Sequence, residues 1–587
     1  MEVKKKILAT TALDLSWGDS QEEIVFLGEW CKRYSMKNLW SSREHRTIDY
    51  HWANRKKLAI DHTYLESLNE KLLKELTSFL NQYHGLNKSE SYWRIIIGPW
   101  LLIYISVIWD RWEAITSAIN LNEKIETYFI RDALLRSPPK DFVEFREAHD
   151  SDIWNHSIFA EIIENRSSNN IKTKIINIEL SKKLLSSKKI KLTLRQRILR
   201  YFAYKADAFF QFFSSNDQEI LFFHTYFPRK ALIYFYLKLR VLPRWHALLK
   251  EPFEYTDSKD RTNLKFEKLI GKNRFEKYLF QNIFKDIPIA YLEDYKSIKE
   301  RTKNIVNAKK IFTANAYIAN EIFKIWSAEQ TSSGAKLIIS AHGGAFYPLF
   351  NNFDLEDKIA DCRIVWGQEW LQTQTRMPPN KLYYKAKDYQ QERNVLFVDY
   401  ETTRYGFRCF SVPVGPLVLE VFNQNKIFLE SLETKIFKNL KVRPKALGSW
   451  ETKQRYIDLF GKDIITNEPT ILKDFESSRI VICCYPQTSF AESMYSGIPS
   501  ILLLKKGIWE CQSIYDELFI ELEEAKILHF DPQDAAKHIA HIYESPELWW
   551  DSQKVLSARK KFEEICLTIT DNPKDNWVNF FKNIDSR

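Results

Sequence analysis

The chain reads as an α/β protein with two Rossmann-like domains facing each other across a cleft, the N-terminal one enlarged by helices. Three observations carry that reading. Short runs rich in Val, Ile and Leu recur along both halves of the 587 residues and end in polar or glycine-bearing loops that lead into helices. One stretch, RIVICCYPQTSFAESMYSGIPSILLL at Arg479–Leu504, is a complete strand–loop–helix–strand unit of the parallel kind. Between the early and late strands lie helical stretches whose apolar residues recur at 3 and 4, as in Leu65, Leu68, Leu72, Leu73, Leu76, Phe79 and Leu80. The division expected is residues 1–375, 392–545 and 546–587. These are an acceptor-side domain with helical insertions, a nucleotide-binding domain and a closing set of helices. A polar linker is expected from Gln368 to Gln391, around Pro378-Pro379-Asn380.

Composition bounds the rest. A chain with 45% hydrophobic and 28% charged residues has ample material for a large core. The net charge of +10 suits anionic partners, among them a nucleotide sugar, a lipid-linked phosphate or an anionic membrane face. The densest basic stretch, Ile171–Arg200, reads as a solvated helix pair or a membrane-facing patch. No nucleic-acid motif accompanies it, so no nucleic-acid partner is expected. The seven cysteines form no CxxC pair, which fits a reduced cytoplasmic protein without a zinc site. The N-terminus reads as a first strand and not as a signal peptide. The longest apolar stretch, Ile95–Trp109, is interrupted by Gly98 and Pro99 and is shorter than the roughly 18 residues of a membrane span. There is no P-loop and no GxSxG, which leaves kinase and hydrolase readings without support.

Taken in order, Lys6–Thr11 and Glu23–Gly28 are two strands, and Glu29 follows the second at its C-terminal edge beside Trp30. A carboxylate there can serve as general acid or base, or simply cap the next helix. His51 lies in YHWANRKKL. Asp110-Arg111, after the buried Ser91–Asp110 helix, reads as a structural ion pair. Ile220–Tyr226 delivers His224 to a strand end, and Arg229 and Lys230 open an aromatic helix. Lys336–Ser340 runs into His342-Gly343-Gly344. The glycines allow close backbone approach, and the imidazole at a strand exit can exchange a proton or donate to an anion. Asn394–Asp399 starts the second domain, followed by Arg404 and Arg408, whose guanidinium forks match phosphate or carboxylate. Lys445 stands near the end of the Leu440–Leu447 strand. In Arg479–Leu504, Thr488 or Ser489 is expected to cap the helix over Phe490–Ser496, with Gly497 at its C-terminus. Glu492 faces the same crevice, where a helix N-terminus suits a phosphate.

These residues also carry resemblances. S/T-x-x-E followed by a small residue, Gly and Pro resembles the donor-site segment of GT-B glycosyltransferases, above all those using CMP-activated ulosonic acids such as Kdo. ATTAL, LGEWC, YHWANRKKL, SYWRIIIGPWL and DRW, in this order over the first 110 residues, with His342 and Ser489 further on, resemble transferases found with bacterial O-antigen and other surface-polysaccharide genes. Ala53-Asn54 depart from that pattern, which has acidic residues there. The resemblance implies a metal-independent glycosyltransferase without a cofactor, acting on lipopolysaccharide, capsule or a related glycan. The donor is first a CMP-linked ulosonic or nonulosonic acid, then a UDP-, GDP- or dTDP-sugar. The acceptor is a glycan or lipid-linked oligosaccharide, reached from the cytoplasm with peripheral contact at the inner membrane. It also implies that Thr488, Ser489 and Glu492 hold the donor, with Gly343, Gly344, Arg404, Arg408 and Lys445. Proton transfer falls to His342 or Glu29, with His224 and His51 behind them. The C-terminal helices return across the cleft. A different group transferase, such as a phosphotransferase, and a non-catalytic carbohydrate-binding protein of the same fold are the alternatives.

Overall fold

The computed structural model describes residues 5–179, 198, 205, 217–244, 253–381, 394–445 and 448–584. Within them, strands form three five-stranded sheets whose ladders are all parallel. The first holds β1 (Lys6–Ala9), β2 (Glu23–Phe26), β3 (His45–Thr47), β4 (Ile125–Ile130) and β5 (Ile171–Ile176), in the order β3-β2-β1-β4-β5. The second holds β6 (Asp217–Phe222), β7 (Asn307–Thr313), β8 (Lys336–Ser340), β9 (Cys362–Val365) and β10 (Gln374–Arg376), in the order β10-β9-β8-β7-β6. The third holds β11 (Asn394–Val398), β12 (Leu440–Arg443), β13 (Ser478–Cys483), β14 (Ser500–Leu503) and β15 (Leu528–His529), in the order β12-β11-β13-β14-β15.

The second and third sheets are the Rossmann-like pair that meets across a cleft. The first is a further parallel unit inside what the sequence presents as one domain, 1–375. Its outer strands explain the difference. β3 has three residues, and β5 is mostly exposed along its length, so neither gives the buried apolar run by which a parallel strand is recognised. The start of the basic stretch is thus a strand, with Lys174 paired to Glu126 at 2.7 Å. Its remaining cations, from Lys182 to Arg200, lie outside the described residues. The expected linker is also partly structured, since β10 pairs with β9, while 382–391 lie outside the described residues.

Two long helices bridge the first and second sheets. Asn54 caps Arg55–His84 by accepting from the Lys57 N–H, and Gly85 ends it at φ 67°. Ser89 caps Glu90–Asn120 in the same way, accepting from Tyr92. That second helix is apolar on all sides because it packs on all sides, against Asp152–Arg166 of the first unit and Glu321–Ser332 of the second. It runs through Pro99, which lacks an N–H and so gives up one backbone bond without ending the helix. It is long and apolar enough to cross a membrane, yet 89% of its most apolar window is buried inside the protein.

After β15 the chain is helical. Gln553–Cys566 leads back to the second unit, where Gln368 N–H donates to Ile565 O at 2.8 Å and Thr568 N–H to Trp366 O. Pro573–Asn583 then covers one face of the second sheet, packing Trp577 and Phe581 edge-to-face against Phe227, Phe222 and Phe312.

Candidate functional site

The third sheet reverses its strand order between β11 and β13, and open α/β sheets place ligands outside the carboxyl ends of strands at such a point. β13, SRIVIC, is wholly buried and leads through Tyr485, Pro486 and Gln487 into a helix over Thr488–Ser496. Gly497 closes that helix at φ 77°, and its carbonyl accepts from Trp550 Nε1 at 2.8 Å. Thr488 and Ser489 were expected to cap it. Instead the N-cap is Gln487, whose side chain makes no bond to the first turn. The two hydroxyls are used elsewhere. Thr488 Oγ1 accepts from the Gly344 N–H at 3.0 Å, and Ser489 Oγ lies 2.5 Å from the Tyr485 hydroxyl. The helix N-terminus therefore keeps its unpaired N–H groups and positive dipole end for a ligand.

The facing wall comes from the loop after β8. Gly344 sits at φ 112°, and a Cβ on Gly343 would come within 2.0 Å of Thr488 Oγ1. Only glycines let this loop lie so close to the helix. Gln487 Nε2 completes the contact by donating to Phe346 O at 2.7 Å. His342, just before the glycines, stacks on Tyr226 with ring centroids 5.8 Å apart. Burial pushes its pKa below the ordinary value, against the pull of Glu356, so the imidazole is neutral near pH 7.

Between the walls lies a cavity of about 340 Å³, within the range of small-molecule sites. Tyr400, Lys445, Tyr485 and Trp509 line it from the third unit, and Asn352, Glu356 and Arg363 from the second. Trp509 Nε1, Arg363 Nε and Asn352 Oδ1 are buried there without a hydrogen-bond partner among the described residues. Orphaned polar atoms converging on one cavity are what a polar ligand would satisfy. Burial raises the Glu356 carboxyl, but Arg363, 2.8 Å away, and the Tyr317 hydroxyl more than offset it and hold its pKa below the usual carboxylate value. Glu356, Arg363 and Trp509 were not singled out from the sequence. The only local signal was the acid-rich run Asp354-Leu355-Glu356-Asp357 that follows the His-Gly-Gly loop.

The expected site residues divide. Gly343, Gly344, Thr488 and Lys445 line the cavity, with the Lys445 ammonium 5.7 Å from the Tyr485 ring. His342 and Ser489 stand beside lining residues but outside the lining itself, His342 against Tyr226 and Ser489 against Tyr485. Glu492 is buried beside them and is paired with Lys381 at 2.6 Å. Arg408 stacks on Phe407 outside the cavity lining, and burial lowers it to about 10 against the opposing pull of Tyr317, Tyr400 and Glu356. His224 is exposed at φ 48°, next to the residues that reach His342 but outside the cavity lining.

Three residues are placed elsewhere. Arg404 is bound to Asp152 at 2.6 Å and to the Trp30 carbonyl, so it joins the first unit to the third and does not face the cavity. Glu29 stands at the edge of β2, where it pairs with Lys32 at 2.7 Å. His51 is buried against Asp110, Nε2 to Oδ1 at 3.2 Å. Arg111 also binds Asp110 and donates to Asn155 and to the carbonyls of His149 and Gly406, a structural network that leaves His51 no access to a substrate.

Parallel Rossmann-like sheets meeting at their carboxyl edges, with an open helix N-terminus on one side and a glycine loop on the other, fit a GT-B fold. The chain belongs to the LIC12162 family of transferases, whose family model matches residues 6–581. Among solved structures it is similar to Anabaena Alr3699/HepE in complex with UDP and glucose, at 10% identity over 63% of this chain and 98% of that one, with a TM-score of 0.31. It is also similar to S. aureus MnaA with UDP, at 10% identity over 50% of this chain and 79% of that one, TM-score 0.31. A third is Acinetobacter baumannii MurG, at 11% identity over 50% of this chain and 78% of that one, TM-score 0.28. No curated protein matches the chain.

Proposed function

We propose that this transferase moves a sugar from a nucleotide donor to a hydroxyl of a glycan or lipid-linked oligosaccharide. The observation that carries the reading is the helix N-terminus at Thr488, not capped by the Gln487 side chain and opening on a cavity at the strand-order reversal. The donor phosphate sits on that N-terminus with Lys445 beside it, and these groups stabilise the charge released when the bond between sugar and phosphate breaks. His342, neutral at pH 7, accepts the proton of the attacking acceptor hydroxyl as the new glycosidic bond forms. Glu356 takes the place beside His342 that Glu29 does not occupy. No cofactor takes part in this scheme. The donor to test first is a CMP-linked ulosonic or nonulosonic acid, whose sugar carboxylate Arg408 would meet; a UDP-, GDP- or dTDP-sugar comes next. An acceptor from O-antigen, capsule or lipopolysaccharide synthesis, reached at the cytoplasmic membrane face, completes the proposal.

The test is a thermal-shift panel of CMP, CDP, UDP, GDP, dTDP and ADP, with and without Mg²⁺, since a ligand that binds only the folded state raises Tm. A metal-independent shift with CMP supports the ulosonic-acid donor, and a shift with a nucleoside diphosphate moves the donor to that class. No shift with any nucleotide overturns the reading and leaves a carbohydrate-binding protein.

A further inference from the structure

The helix Arg229–Leu239 lies on the outside of the second unit. Ala231 and Phe235 are buried under it, against Phe222 and Phe581. Its outer face presents Ile233, 59% exposed, and Leu237, 73% exposed, one turn apart. Arg229, Lys230, Lys238 and Arg240 are exposed around this pair. No Asp or Glu occurs between Glu219 and Glu251. On the adjoining helix Lys574 adds another cation, 5.9 Å from the Tyr234 ring, and the one acid there, Asp575, accepts from the Tyr234 hydroxyl.

We propose that this face docks on an anionic lipid bilayer. Ile233 and Leu237 enter the boundary between headgroups and acyl chains, and the four cations meet lipid phosphates. The charge pattern selects that occupant. A second copy of the chain would set cations against cations, and a nucleic acid would find no use for two exposed aliphatic side chains. The proposal does not depend on which group is transferred. It does place the cleft usefully, because Tyr226, which stacks on His342, lies just ahead of this helix. A docked molecule thus holds the His342 edge near the bilayer.

The experiment is co-sedimentation of the full chain with vesicles of phosphatidylcholine alone and of phosphatidylcholine mixed with phosphatidylglycerol. Binding to the mixed vesicles, weakened by salt, is expected. Each basic residue near an anionic surface contributes about fivefold, so Lys230→Glu with Lys238→Glu should lower partitioning by more than about tenfold. Ile233→Glu with Leu237→Glu should do the same, with Tm unchanged because both side chains are exposed. Should that pair fail to fold, Ile233→Ser with Leu237→Ser replaces it. Equal binding to neutral vesicles, no binding at all, or binding unaffected by either pair overturns the proposal. So does light scattering that shows a dimer split by the aliphatic variants while vesicle binding persists.

Discussion

The first and third sheets each reverse strand order once, between β1 and β4 and between β11 and β13, and a buried aspartate stands near each reversal. At the first, Asp152 accepts from the Ala12 N–H, Arg33, Arg404 and the Tyr405 hydroxyl. Those cations overcome burial and hold its carboxyl far below the usual range. At the third, burial pushes Asp399 up to about 7, with Tyr456 and Asn425 donating to one oxygen and the other unpartnered among the described residues. The same sheet geometry offers a crevice twice. In one, the protein's own loop 404–405 and its ion pairs fill the space. The other is left with unsatisfied polar atoms around a cavity. A strand-order reversal is therefore an opportunity for a site, and the side chains that occupy it decide whether it becomes one.

The largest effect should come from emptying the filled crevice. Asp152→Ala leaves the buried Arg404 without its ion-pair partner, which costs about 3–5 kcal/mol and should appear as a marked fall in Tm. An unchanged Tm would break the comparison, since the crevice would then not be held by that pair.

Next comes the open crevice, where activity should suffer far more than stability. Thr488→Val removes the oxygen that accepts from Gly344, lets the glycine wall of the cleft shift, and should lower kcat/KM by about 100-fold. His342→Ala and Glu492→Ala should also reduce transfer sharply. Near-normal turnover by all three would detach this crevice from the chemistry.

The two aspartates give opposite pH slopes. The folded protein holds the Asp399 proton up to about pH 7, whereas an unfolded chain releases it near pH 4, so stability falls as pH rises between those values and levels above them. Asp399→Asn should flatten that slope in denaturant titrations. Asp152 acts lower and with the other sign: its contribution is present above about pH 4 and is lost as pH falls. Were the Asp399→Asn protein to keep the wild-type slope, the contrast between the two sites would lose its electrostatic half. The smallest effect belongs to Glu29→Ala. Its half-exposed pair with Lys32 is worth at most about 1 kcal/mol, so activity within about twofold of wild type is expected. A large loss would return Glu29 to the chemistry.

The central strands of the third sheet, β11, β13 and β14, were legible in the sequence because each is a buried apolar run closed by a loop, and β8 matches its expected bounds, Lys336–Ser340. The glycine loop and the Thr488 helix were legible for the same local reasons. What lay hidden was set by pairs remote in sequence. Arg404 looked like a free anion ligand until its partner 252 residues away appeared, and Thr488 looked like a cap until Gly344, 144 residues away, claimed its oxygen. The first sheet was hidden because its outer strands are short or solvated. Glu356 and Trp509 were hidden because nothing in their own neighbourhoods says that they face each other across a cleft.

The helix Pro573–Asn583 has a consequence for the order in which the molecule is made. It is the cover for Phe222, Phe227 and Phe312 on the second sheet, yet it is synthesised only after the whole third sheet. As the chain leaves the ribosome, the middle unit therefore waits with an aromatic face open while the third assembles, and it finishes after its successor. The fragile interval in the life of this protein belongs to its centre, and a nascent chain halted before residue 573 should be caught by whatever in the cell binds exposed aromatic surface.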